Sequence, residues 1–381
     1  MHVAVVHRLM RRAGAIPLIA RTLVARLAEL GPVDHVTAFA FDVRPGDSTP
    51  STTYVRVATV RAGAFDLAGL VFAVVLFFRL VAVHRRRRLH VLLCHDSTAF
   101  YGVWLFSKLY GVPHAVFMHA CIYAPGKEGM YGRSRALVYK LNTRFYLRAA
   151  RRVCCVSREL CGWAERLGAP RRRVVLMPNW VDLSRFAPSP SRPPQPPHRL
   201  LYVGRLSPEK GPVFAVRAMP AIVERMPQAE LTVVGDGRQR AELERLAGEL
   251  GVGGRVRFVG AVANTGLPDY YRRAGLLVMP SLSEGQGVVA MEALACGIPV
   301  VGSRVGGIPE SVRDGVNGLL VPPGEPQALA RAVADLLADR ERYAGLAAAA
   351  PGSVASRSWR RGARRYLALC RLLRWRGHAS R

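Results

Sequence analysis

The chain is expected to fold as an α/β protein built from two Rossmann-like domains. Three observations point there. Short apolar runs alternate with longer stretches of helical periodicity, once through the first half and again through the second. A proline-rich run, 187–198 (APSPSRPPQPPH), separates the two sets as a stiff, extended spacer. Glycines follow the apolar runs, at Gly14, Gly204, Gly235, Gly285 and Gly287, where a strand hands over to a helix.

In the first half, 2–6 reads as a strand, 7–15 as a loop carrying Gly14, and Pro17 to Leu30 as a helix stopped by Gly31. Val33 to Phe41 is a second strand region. The G-x-G-x-x-G fingerprint is absent, so no dinucleotide is inferred. Leu67 to Val83 is the most apolar stretch, but only Leu67 to Phe78 is free of charge because Arg79 interrupts it. A spanning helix needs ~20 mainly apolar residues, so this one is too short. Arg85 to Arg88 follow directly. The stretch reads either as a helix lying on an anionic leaflet or as a buried helix with a solvated basic end. Leu89 to Cys94 is a strand ending at His95 and Asp96, then come a helix from Thr98 to Tyr110 and a strand from His114 to Met118 ending at His119. Both histidines fall at strand ends, where open α/β sheets place their ligands. Arg152 to Val156 is a strand whose Ser157 can cap the next helix, and Val174 to Met177 is another.

In the second half, strands are expected at Leu200–Val203, Ala229–Val234, Val256–Val259, Leu276–Met279 and Pro299–Val301. Helices fill the intervals and 326–348, and Trp359 to Arg374 is a last amphipathic helix.

Composition narrows the partners. The formal charge is +29. Residues 1–200 hold 30 Lys+Arg against 10 Asp+Glu, and 201–381 hold 25 against 16, so most of the excess lies in the first half. Such a charge suits nucleic acid, an anionic membrane surface or a phosphorylated substrate. No helix-turn-helix, zinc-finger or RNA-recognition motif occurs, and a nucleic-acid partner is not expected. The seven cysteines include no C-x-x-C, which reads as a reduced, cytoplasmic protein with buried thiols.

The chemistry is expected around 283–292 (SEGQGVVAME), a strand-to-helix turn. Backbone N–H groups at such a turn favour an anionic or hydroxyl-rich ligand. Glu284 in the loop can accept hydrogen bonds from hydroxyls held over the helix end, and Glu292 on the helix can reach a second set further along. The alternative is that Glu284 is merely stabilised by the helix dipole and Glu292 is a solvated helix position. Arg205 and Lys210 leave one strand end together and can hold a diphosphate, the arginine bidentate and the lysine as a point charge. A solvated basic turn is the alternative. No D-x-D pair occurs, so a metal bridge to a diphosphate is not signalled.

With these residues in place, the sequence resembles a GT-B glycosyltransferase of family 4, of the glycosyl transferases group 1 type. The segments that carry the resemblance are 203–211 (VGRLSPEKG), 233–237 (VVGDG), 280–301 (PSLSEGQGVVAMEALACGIPVV) and 305–310 (VGGIPE). Residues 156–160 and 177–182 resemble the segments that close the first domain. The resemblance implies two Rossmann-like domains, 1–186 and 199–355, facing each other across a cleft, and a helix over 356–376 crossing back to the first. It implies a retaining transfer of a hexosyl unit from a nucleotide-sugar donor to a hydroxyl acceptor, with no cofactor or metal. Glu284 would contact the donor sugar's hydroxyls, and the backbone of Gly285, Gln286, Gly287 and Val288 would meet sugar and phosphate. Glu292 would bind the ribose, and Arg205 and Lys210 would neutralise the leaving diphosphate. Gly14, Gly204, Gly235 and Asp236 fall in donor-binding loops, and His119 resembles a first-domain histidine that reaches the donor sugar.

There are departures. Gln286 stands where the family commonly has an aromatic, Trp180 where it has glycine, and the usual two-glycine loop is reduced to Arg12-Ala13-Gly14-Ala15. The basic first half suggests an acceptor at the membrane surface, a lipid-linked or polysaccharide intermediate, with the protein peripheral on the inner face. A soluble small-molecule acceptor and a sugar-nucleotide epimerase on the same fold are the alternatives.

Overall fold

A computed structural model describes residues 1–8, 15–43, 45–58, 65–120, 133–188 and 197–378. Gly14 and most of the proline-rich run lie outside these residues. The described chain forms two compact units. Of the described residues, those within 1–120, 133–179 and 359–378 form unit 1, and those within 180–188 and 197–358 form unit 2.

Unit 1 begins with β1 (His2–Val6), α1 (Ala15–Ala28), β2 (His35–Ala40) and β3 (Thr52–Arg56). It continues through α2 (Phe65–Arg86), β4 (Val91–Cys94), α3 (Phe100–Tyr110) and β5 (His114–Met118). Then come α4 (Arg133–Ala149), β6 (Arg152–Cys155), α5 (Arg158–Arg166) and β7 (Val174–Leu176). The sheet order is β3-β2-β1-β4-β5-β6-β7, and every pair is parallel. β1, β2, β4, β5 and β6 are buried along their whole length, as expected where helices cover both faces of a parallel sheet. Ser157 caps α5 by accepting a hydrogen bond from the Leu160 N–H, the role expected of it.

Two features differ from expectation. β3 was not among the expected strands: its Thr-Thr-Tyr-Val run suits a strand but is too short to show a pattern by itself. Its register with β2, Val36 opposite Thr52 through Ala40 opposite Arg56, recruits it as an edge strand, half exposed and therefore weakly patterned. The apolar stretch after it is neither wholly buried nor wholly exposed. Phe72, Ala73, Leu76 and Leu80 of α2 are buried, while Leu70, Val74 and Phe78 face solvent.

Unit 2 holds β8 (Arg199–Val203), α6 (Pro212–Arg225), β9 (Glu230–Val234), α7 (Arg240–Glu249), β10 (Val256–Gly260) and α8 (Leu267–Arg273). It continues with β11 (Leu276–Met279), α9 (Val288–Ala295), β12 (Val300–Ser303), β13 (Gly318–Val321), α10 (Pro326–Ala338) and α11 (Arg340–Val354). The order is β10-β9-β8-β11-β12-β13, again parallel. β8 shows why both sheet faces carry a core. Leu200 and Tyr202 enter the cluster beneath α6 and α10, while Leu201 between them enters the cluster beneath α8, α9 and α11. β13 was not foreseen. Its four residues follow a polar turn and pair with β12 only in the folded sheet.

The chain enters unit 2 at Trp180, ahead of the proline-rich run, because Val181 and Phe186 are buried in the core formed with α9 and α11. A last helix, α12 (Trp359–His378), belongs to unit 1. Its Tyr366, Leu369, Cys370 and Leu373 are buried, Tyr366 stacks on Phe117 of β5 at 5.4 Å, and Arg365 donates to the Leu176 carbonyl of β7 at 2.9 Å.

Candidate active site

The sheet order of unit 2 contains a switch point. The chain runs from β8 outward to β9 and β10, then returns to the other side of β8 with β11. In open α/β sheets the loops leaving the strands diverge at that point and form a crevice at the carboxyl ends. Here they are the loop 204–211 after β8 and the loop 280–287 after β11.

These loops carry the residues expected to act. Lys210 Nζ donates to Glu284 Oε2 at 2.6 Å, and both side chains are largely buried. Arg205 lies on the same loop as Lys210. Its guanidinium pairs with Glu209 Oε1 at 2.9 Å, yet its side chain is 70% exposed and so accessible to a ligand.

Glu209 went unremarked in the sequence, although it sits inside the 203–211 segment. Burial alone would raise its carboxyl pKa. Its own N–H and the nearby Ser207 hydroxyl, with the charges of Arg205 and Lys210, outweigh that and hold it below the ordinary value. Its carbonyl accepts the N–H groups of Leu282 and Ser283, each at 3.1 Å, so one residue ties the two loops together. Tyr202 of β8 braces the first loop itself by donating to the Arg205 carbonyl at 3.0 Å and reaching the Lys210 carbonyl at 3.4 Å.

Glycine is required where the loops touch. Gly235, at φ 140, leaves no room for a Cβ beside the Gly204 carbonyl. Gly306, at φ 57, presses likewise on the Glu284 carbonyl. The 235–237 turn packs on the first loop, since Leu206 donates to the Asp236 carbonyl at 3.0 Å. The Asp236 carboxylate is exposed and accepts the Gly237 N–H at 2.7 Å.

Gly287 forms the left-handed N-cap of α9, and Gly285 and Gln286 precede it. The first-turn N–H groups of Val288 and Val289 have no carbonyl four residues back within the helix. The Gln286 side chain is buried rather than presented to solvent.

Glu292, one turn further on, is also buried, which rules out the solvated alternative. It accepts a hydrogen bond from the Tyr271 hydroxyl at 2.7 Å. Burial raises its pKa to about 7, with the Tyr271 hydrogen bond and the Arg185 charge pulling the other way. It can therefore exchange a proton near neutrality.

Unit 1 has a switch point of its own, between β1 and β4. His7 follows β1, His95 follows β4 and His119 follows β5. His95 Nδ1 lies 3.0 Å from His119 Nε2, and His95 stacks on Phe117 at 4.0 Å. Burial and then His7 lower the His119 pKa to about 3. The imidazole is neutral at pH 7, able to exchange hydrogen bonds with a hydroxyl but not to balance a phosphate. Among the described residues no cluster of three His, Cys, Asp or Glu could hold a metal ion.

The sequence and fold match known proteins along both halves. Residues 18–185 match the family model described as Glycosyltransferase Family 4, and 185–352 match Glycosyl transferases group 1. A GDP-mannose-dependent alpha-(1-6)-phosphatidylinositol monomannoside mannosyltransferase of Mycolicibacterium smegmatis is 36% identical over 205 residues, 50% of this chain and 52% of that protein. D-inositol 3-phosphate glycosyltransferase 2 of Catenulispora acidiphila is 41% identical over 208 residues, 50% of this chain and 49% of that protein. The chain thus spans about half the length of these curated relatives. Among solved structures, sucrose-phosphate synthase of Thermosynechococcus elongatus superposes with a TM-score of 0.82 at 25% identity, covering 98% of each chain. HepE of Anabaena, solved with UDP-glucose, superposes with a TM-score of 0.76 at 21% identity over 97% of this chain and 100% of that one, a likeness of fold. With family models matched from residue 18 to 352 and GT-B neighbours over nearly its whole length, the chain belongs to the GT-B glycosyltransferases of family 4, the glycosyl transferases group 1 type.

Proposed function

We propose that the chain transfers a hexosyl unit, with retention and without a metal, from a nucleotide-diphosphate sugar to a hydroxyl acceptor. The observation that carries this reading is the Lys210–Glu284 pair at the switch point of unit 2, with Arg205 beside it on the same loop. Breaking the bond from the anomeric carbon to the diphosphate builds negative charge on the leaving oxygen and oxocarbenium character on the sugar. Cations already fixed at the phosphate stabilise that state more than the ground state. In this reading Arg205 and Lys210 supply the charge, and first-turn N–H groups of α9 meet phosphate and sugar oxygens. Glu284 accepts the sugar's hydroxyls and Glu292 the ribose hydroxyls. Retention fits attack from the face the diphosphate leaves, with a diphosphate oxygen taking the acceptor's proton.

The acceptor in this reading is a lipid-linked or polysaccharide intermediate at the cytoplasmic face. The mannosyltransferase relative, whose name includes phosphatidylinositol monomannoside, a glycolipid, supports it. The described cysteines, all free thiols, fit a reducing compartment. The D-inositol 3-phosphate relatives support a second reading, a soluble polyol phosphate acceptor. A thermal-shift panel of UDP-, GDP- and ADP-sugars tests the donor. One of them should raise the unfolding midpoint of the wild type and fail to do so in Lys210→Ala. A panel with no response overturns the reading.

A further inference from the structure

Three successive helices of unit 1 turn an apolar stripe outward. On α2 the stripe is Leu70, Val74 and Phe78, with Phe78 64% exposed. On α3 it is Tyr101, Leu105 and Leu109, with Leu109 65% exposed. On α4 it is Leu137, Leu141 and Phe145, with Leu141 60% exposed. Each stripe repeats every fourth residue, so each is one continuous helix face.

The helices lie side by side. α3 packs against both neighbours, with Gly102 admitting the Ala73 carbonyl of α2. Tyr101 stacks on Phe145 of α4 at 5.6 Å and donates to Asn142 Oδ1 at 2.7 Å. Three adjoining stripes form one patch, whereas a soluble monomer scatters its exposed apolar side chains singly.

Charge identifies the occupant. The three helices carry nine Lys and Arg against a single carboxylate, Asp66. Cations at a helix C-terminus answer the dipole, which accounts for Arg85 and Arg86. It does not account for Arg79, Lys140 and Arg144, which stand away from the last turn. A second copy of this face would meet it with like charge, which disfavours self-association here. No helix among the described residues is long and apolar enough to cross a membrane. An apolar face flanked by basic side chains suits a surface that is apolar within and anionic at its headgroups.

We propose that the α2–α3–α4 face of unit 1 seats the protein on an anionic lipid bilayer. Leu70, Phe78, Leu105, Leu109 and Leu141 enter the headgroup region, and Arg79, Arg85, Arg86 and Arg88 meet the lipid phosphates. This docking does not depend on the transfer reaction proposed above, because none of these residues belongs to the donor site.

The test is flotation of the full chain with vesicles of phosphatidylcholine alone and of phosphatidylcholine mixed with phosphatidylglycerol. Binding is expected only to the mixed vesicles, weakening as salt screens the arginines. Combining Phe78→Asp, Leu109→Asp and Leu141→Asp should lower partitioning about tenfold or more. The milder pair Leu105→Gln and Leu141→Gln should lower it less, with the unfolding midpoint unchanged. No binding to mixed vesicles overturns the proposal, as does binding untouched in both variants. Concentration-dependent dimers that the same substitutions abolish, without lipid binding, would assign the face to a second copy instead. The sugar-nucleotide thermal shift, measured without lipid, reports separately on the donor reading.

Discussion

Lys210 and Glu284 are 74 residues apart in sequence and 2.6 Å apart in the fold. Each reads as an ordinary surface charge when taken singly. Their pairing beside Arg205 makes them the residues on which transfer should depend. Lys210→Ala or Glu284→Ala should lower turnover about a hundredfold or more in a donor-dependent assay, with a cooperative thermal transition retained. Near-normal turnover in either variant would dismiss the assignment. Glu292 gives a different signature. Burial lifts its pKa from 4.5 to about 7, so across that window the folded chain holds a proton that the unfolded chain has released. Stability should therefore fall as pH rises from about 4.5 to 7 and level off above it, by about 3 kcal/mol in all. Glu292→Gln keeps a carbonyl for the Tyr271 hydroxyl and removes the charge. It should unfold at a higher temperature than the wild type at pH 8, with the gap closing towards pH 5. Parallel pH profiles for the two proteins would show the carboxyl to be solvated after all.

At the scale of elements, the 204–211 and 280–287 loops are positioned by close backbone contacts as well as by side chains. Gly306 lies against the Glu284 carbonyl and Gly235 against the Gly204 carbonyl. An Ala at either position must move a loop as well as adopt a strained φ. Gly306→Ala should cost more than about 2 kcal/mol and displace Glu284, lowering donor affinity and stability together. Unchanged donor affinity would mean the 305–310 turn does not support the site. The glycine-bearing segments were legible in the sequence because their motifs are local. β3 and β13 were not, because each is a short strand specified by its neighbour: β3 pairs along β2, and β13 along β12. α2 was legible as apolar, but its division into a buried and an exposed face depends on where α3 packs, through the approach of Gly102 to Ala73.

At the scale of the whole molecule, the chain's last helix completes its first unit. Trp359, Tyr366, Leu369 and Leu373 of α12 are buried in unit 1. Burying a large apolar side chain contributes about 1.5–3 kcal/mol, so four of them amount to much of a domain's net stability of about 5–15 kcal/mol. A chain ending at Ser358 should therefore lose the unit 1 transition in calorimetry while unit 2 still unfolds cooperatively. Two intact transitions in the truncated chain would show that α12 is dispensable. The positive charge is likewise concentrated by the fold, since three neighbouring helices of unit 1 carry nine cations and one carboxylate.

Taken alone, the sequence determined the two-domain α/β class, the strand-to-helix loops and the identity of the acidic and basic residues in them. These follow from local periodicity, glycine placement and short motifs, which a chain carries whether or not it is folded. Only the tertiary structure decided that Lys210 meets Glu284, that Glu209 binds the two loops together, that Glu292 is buried against Tyr271, and that three helices share one exposed apolar face. Those facts depend on sheet order and helix packing, which bring distant segments together, and no stretch of the chain encodes them by itself.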